Sequence, residues 1–100
     1  MRITEIKGTN MELTEAIKQY VDRRLSSLAD ICAKYSPCDA SVEVGRTSQH
    51  HQKGEVFYAE VNLVLPGSNI RATSTKDDLY AAIDDVRDDV KRQLVDRKER

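Results

Sequence analysis

The apolar residues of this chain follow two periods that take turns along it. Residues 2–7 (RITEIK) are rich in β-branched side chains and run into Gly8, which predicts a first strand. Ile3 and Ile6 stand three apart, so alternation fails there and a bulge or an early end is expected. The period then becomes helical. Leu13, Ile17, Tyr20, Val21, Leu28, Ile31 and Tyr35 share one stripe, predicting a helix over residues 13–34. Thr14 and Glu15 suit its first turn, one as a cap and the other as negative charge at the positive end of the helix dipole. Ser36-Pro37 stops it, because proline constrains its predecessor and donates no backbone hydrogen bond.

Period two returns in residues 40–46, where Ala40, Val42 and Val44 alternate with polar neighbours. The polar stretch RTSQHHQKG reads as a hairpin connection. Residues 55–65 form a longer strand with Phe57, Ala59, Val61, Leu63 and Leu65 on one face. Pro66-Gly67 marks a turn, and residues 69–74 give a fourth strand through Ile70, Ala72 and Ser74. Thr75, with Asp78 three residues on, resembles a capping box opening a last helix. Along that helix Leu79, Ile83, Val86, Val90 and Leu94 form an apolar seam.

The order β-α-β-β-β-α predicts an α+β fold. It is a two-layer sandwich in which a four-stranded sheet carries two helices on one face and leaves the other wet. One hundred residues suffice for one modest core, so residues 1–100 are read as a single domain. At 39% hydrophobic and 33% charged, the composition is that of a small globular domain rather than a disordered chain. No apolar run approaches the roughly 20 residues that span a bilayer, and the N-terminus has no signal-peptide core, so a cytoplasmic protein without membrane contact is expected.

Catalytic chemistry finds little here. There is no glycine-rich phosphate loop and no nucleophile motif, and no small-molecule substrate or cofactor is expected. Cys32 and Cys38 are six apart, and with His50 and His51 they match no zinc spacing, so a reduced, metal-free pair is expected. The pairs Asp77-Asp78, Asp84-Asp85 and Asp88-Asp89 suggest carboxylate ligands. Neighbouring helical residues diverge by about 100°, which splits each pair between faces and makes solvated helix surface the better reading.

The net charge of −1 offers no global pull toward a polyanion, so any such attraction depends on how the charges are distributed. In the last helix they are sorted. Lys76, Tyr80, Arg87, Lys91 and Lys98 fall within an arc of about 60° beside the apolar seam. Asp78, Asp85, Asp89 and Asp96 are expected opposite that seam. A basic flank with one aromatic suits phosphate contact. The same charges also suit a helix matched to its own dipole and to i,i+4 pairs. In the first helix Arg24 interrupts the apolar stripe next to Arg23. Either it snorkels outward, or the two arginines extend a basic strip between the helices. Arg71 lies on the wet side of the fourth strand.

The words GTNMELTEAIKQYVDRRLSSL, LPGSNIRA, DLYAAID and RQL together resemble the ribosome hibernation-promoting factors, also called ribosome-associated inhibitors or ribosomal subunit interface proteins. The resemblance spans nearly the whole chain. It implies a fold like a double-stranded RNA-binding domain with an added leading strand. It also implies a non-enzymatic protein that binds the small ribosomal subunit and its rRNA at the subunit interface. Such a protein blocks the mRNA and tRNA channel and inhibits translation in stationary phase or stress. Lys18, Arg23 and Arg24 match the family's basic positions on the first helix, Arg92 matches the arginine of RQL, and Arg71 matches the IRA position. Joined with the basic flank of the last helix, these give an expected rRNA-binding set of Lys18, Arg23, Arg24, Arg71, Lys76, Tyr80, Arg87, Lys91, Arg92 and Lys98. Asp89 stands where the family usually carries lysine. The resemblance further implies a short form without a C-terminal dimerisation domain, monomeric off the ribosome. A general double-stranded RNA-binding module is the competing reading, and a protein-interaction module whose charges only keep it soluble is a third.

Overall fold

The computed structural model describes residues 1–47 and 56–98, apart from the side chain of residue 98. The elements run β1 (Arg2–Thr9), α1 (Glu15–Ser26), α2 (Ala29–Cys32), a 3₁₀ turn (Ala33–Tyr35), β2 (Asp39–Arg46), β3 (Phe57–Leu65), β4 (Ser68–Lys76) and α3 (Leu79–Lys98). The sheet order is β1-β2-β3-β4. β2, β3 and β4 form an antiparallel meander, while β1 lies parallel to β2 because α1 carries the chain back across the sheet.

Alternation places Ala40, Val42 and Val44 of β2, Ala59, Val61, Leu63 and Leu65 of β3, and Ile70, Ala72 and Ser74 of β4 in the buried layer. Val21, Leu25 and Leu28, with Leu79, Ala82, Ile83, Val86, Val90 and Leu94 of α3 beside them, cover this layer on the same sheet face. In β1 the expected bulge is present, with the register shifting between Ile3 and Glu5. Thr4 is the extra residue, and its hydroxyl donates to the Ala40 carbonyl at 3.1 Å. The bulge lets Ile3 and Ile6, three apart, both pack on the core. Gly45 allows β1 to lie close, since a Cβ there would run into the carbonyl oxygen of Thr9.

Two boundaries differ from the sequence expectation. The helix predicted over 13–34 is three pieces: α1 ends at Ser26, and α2 and the 3₁₀ turn follow a break at Ser27–Leu28. Thr14 does cap α1, its hydroxyl accepting from the Ile17 amide at 3.2 Å. The cap of α3 is Asp78 alone rather than a box begun by Thr75. Its carboxylate accepts from the Ala81 amide at 3.1 Å, while Thr75 stays in β4 opposite Tyr58. At the β4 edge, the Gln93 side-chain amide reaches from α3 to donate to the Arg71 carbonyl at 3.1 Å.

Cys32 and Cys38 are buried free thiols, and burial together with a hydrogen bond between them pushes the Cys32 thiol up to about 12. His50 and His51, with most of the hairpin connection between β2 and β3, lie outside the described residues.

Candidate nucleic-acid interface

α1 and α3 lie side by side, and polar and aromatic groups join them. The Tyr20 hydroxyl donates to Asp84 Oδ1 at 2.6 Å. Arg24 Nε lies 2.9 Å from the same oxygen. That N–H is not aimed along the line and finds no hydrogen-bond acceptor, so the contact is ionic. The Tyr20 and Tyr80 rings meet edge to face, their centroids 4.7 Å apart at 89°. One turn further along, Arg87 Nε donates to Ser27 Oγ at 3.0 Å, and Ser27 Oγ in turn donates to the Arg24 carbonyl at 2.5 Å.

Asp84 therefore does more than solvate a helix face, contrary to the expectation for the aspartate pairs. A carboxylate accepting from Tyr20 makes phenolate formation costly, so the hydrogen bond from Tyr20 to Asp84 is the main cause raising the tyrosine above its ordinary 10.0. Burial and the Asp84 charge add to this, while the charges of Arg24 and Arg23 oppose it.

The sequence-derived residues divide into groups. Arg24, Tyr80 and Arg87 lie along the α1–α3 groove, with Arg23 next to Arg24 and Lys91 one turn after Arg87; Lys76, expected on the flank of the last helix, is instead the final residue of β4, paired with Phe57. Lys18 is on the other side of α1, where with Asp22 it lines a cleft beside Ile3, Thr4, Glu5 and Ile6 of β1. Arg71 is on the open sheet face, bound to Glu60 Oε1 by Nε at 3.3 Å and Nη2 at 2.8 Å. Arg92 is outside the groove too. It pairs with Asp89 and shares a shallow cleft with Asp85 and Asp88. The side chain of Lys98 is outside the described residues.

Internal pairing separates these cations further. Arg87 is nearly consumed, since it also pairs with Asp88 at 3.0 Å and its side chain is only 16% exposed. Lys18, Arg23, Lys76 and Lys91 have no ion pair among the described residues. A cation already neutralised by a neighbour gains less from a phosphate, so the unpaired ones dominate the groove's potential. The acidic row also differs from expectation. Asp96 lines a cleft with Asn69 and Ile70 of β4, so the row flanks the seam on the side away from α1 instead of lying opposite it.

Tyr20 and Asp84 are site residues that the periodicity does not single out. Tyr20 falls on the apolar stripe, but it is one turn from Arg24, and Asp84 is one turn from Tyr80. That doubled i,i+4 spacing is the signal that marks a polar contact between two helix flanks.

A family model described as Sigma 54 modulation protein / S30EA ribosomal protein matches residues 4–100. The chain belongs to that family. Among curated members of the S30EA family, a ribosome hibernation promotion factor of Deinococcus radiodurans is 34% identical over 94% of this chain, which spans 48% of the length of that relative. A ribosome hibernation promoting factor of Klebsiella oxytoca is 30% identical over 95% of this chain and 92% of its own. The N-terminal domain of Thermus thermophilus Protein Y superposes with a TM-score of 0.74 at 32% identity, covering 94% of this chain and 96% of its own. A ribosomal subunit interface protein from Coxiella burnetii, 21% identical with a TM-score of 0.81, shares the fold over both full chains. No helix among the described residues is long and apolar enough to cross a membrane.

Proposed function

We propose that this chain is a non-enzymatic ribosome-binding domain that lodges on the small subunit at the subunit interface and stops translation. It occupies the channel needed by mRNA and tRNA, and it does so in stationary phase or under stress. The contact is made to rRNA phosphates by the α1–α3 groove, with Arg23, Lys76 and Lys91 contributing most, Arg24 sharing its charge with Asp84, and Tyr80 among them. Lys18, Arg71, Arg92 and Lys98 belong to a wider periphery. The observation that carries this reading is that Arg23 and Lys91, on the two helices that form the groove, have no ion pair among the described residues, in a chain of the S30EA family. No chemistry is performed; a folded body held by charge in a needed space is the whole mechanism.

Sedimentation with purified ribosomes at low and moderate salt tests this. Binding is expected at low salt and weakens as salt rises, because each neutralised phosphate releases counterions. Replacing Arg23 and Lys91 together by Glu should abolish it. A protein that stays in the supernatant at both salt concentrations defeats the proposal. Equal affinity for a free RNA duplex and for ribosomes would instead favour a general double-stranded RNA-binding module.

A further inference from the structure

Tyr80 is an exposed large side chain, 38% accessible, at the start of α3. A ring needed only to fill the gap between two helices would be buried, as Leu79 and Ala82 beside it are. Its hydroxyl has no hydrogen-bond partner among the described residues. Tyr80 is nevertheless held, because Tyr20 meets it edge to face and Tyr20 is itself anchored on Asp84 at 2.6 Å. Cations stand nearby: Arg24 reaches Asp84 from across the groove at 2.9 Å, with Arg23 next to it in α1, and Lys76 ends β4 four residues before the ring. An accessible aromatic ring of fixed orientation, set among cations, is what a nucleobase stacks on while its phosphates are held nearby. Fixing the ring in advance removes part of the ordering cost of binding.

We propose that Tyr80 is a stacking platform for an unpaired base of ribosomal RNA, with Tyr20 and Asp84 setting the plane of its ring. This rests on the reading that the groove binds ribosomal RNA, and it narrows the ligand to a single-stranded element with one base turned out. A base inside a duplex has both faces covered and gains nothing from Tyr80.

The test compares wild type, Tyr80→Phe and Tyr80→Leu for binding to purified ribosomes over a range of salt. Tyr80→Phe keeps the ring and binds within about twofold of wild type. Tyr80→Leu binds about 5- to 150-fold more weakly, the range for loss of one stacked base. The slope of affinity against salt stays unchanged, because stacking releases no counterions. A Tyr80→Trp variant gives a direct signal, since the chain has no tryptophan of its own. Its fluorescence is quenched by a single-stranded RNA decamer and not by the matching duplex. Two results overturn the platform while ribosome binding stands. One is wild type binding ribosomes with Tyr80→Leu matching it at every salt concentration. The other is an indole in Tyr80→Trp that the single strand does not quench. If wild type fails to bind ribosomes, the underlying reading falls and the platform with it.

Discussion

Tyr20 and Asp84, 64 positions apart in sequence, share a 2.6 Å hydrogen bond that joins the two long helices above the sheet. The bond orients Tyr20 against Tyr80, and the same carboxylate oxygen attracts Arg24. Tyr20→Phe keeps the ring and removes the bond, so it should lower unfolding free energy by about 1 kcal/mol, as measured by urea denaturation. The effect has a pH signature. A tyrosine raised above 10.0 in the folded state contributes stability that is complete below pH 10 and is lost as pH climbs through the raised value. Wild type should therefore lose more stability than Tyr20→Phe as pH climbs from below 10.0 to above it.

On the open sheet face, Glu43 accepts from the Thr9 hydroxyl at 2.6 Å and from the Tyr58 hydroxyl at 2.5 Å. The Thr9 bond is the larger of the two effects holding the Glu43 carboxyl below its ordinary 4.5. A depressed carboxylate stabilises the fold above its unfolded value and ceases to do so as pH falls through the folded one. Glu43→Gln should be less stable than wild type at neutral pH, and the difference should shrink as pH falls below 4.5. Urea midpoints at the two pH values decide this, and an unchanged difference would rule out ionisation as the cause.

Arg92 is paired with Asp89, so any phosphate has to compete with a carboxylate already in place. Asp89→Asn frees the guanidinium and removes a nearby negative charge. Affinity for ribosomes should rise, and the salt slope should steepen by about 0.7 to 0.9 for one added phosphate contact. Equal slopes for the two proteins would mean that Arg92 does not reach the RNA.

At Gly45 the β1 backbone lies too close to β2 for a side chain. Gly45→Ala should cost on the order of 2 kcal/mol, because the added methyl meets backbone at Thr9 that cannot swing aside. Thermal unfolding measures the loss. The variant should also expose β1 amides to hydrogen exchange before those of β3.

Most of the fold was legible because the switch between periods two and 3.6 is clean, and β2, β3 and β4 all follow their alternation. The broken first helix was not legible. Leu28 stays fully buried and Ile31 and Tyr35 still pack on the core, so the apolar stripe continues although the helix does not. The cap of α3 was misplaced because β4 holds Thr75 and Lys76 in register with Tyr58 and Phe57 right up to the turn. For the site, winding the last helix put Tyr80, Arg87 and Lys91 on one flank but wrongly counted Lys76, which ends β4, as part of the helix. It gave no sign of which cations are already spoken for, because Glu60, Asp84 and Asp88 are brought to Arg71, Arg24 and Arg87 by folding or by rotamer, not by periodicity.

The sorting of charge across α3 has one more consequence. With a net charge of −1, the molecule as a whole is scarcely drawn toward a polyanion. Its groove side and its aspartate side nevertheless have opposite signs, so a distant field exerts a torque on it. A protein of this kind is turned before it is attracted. On the proposed reading of the groove, it would reach a polyanion with that side already facing inward, without the indiscriminate stickiness of a strongly basic protein.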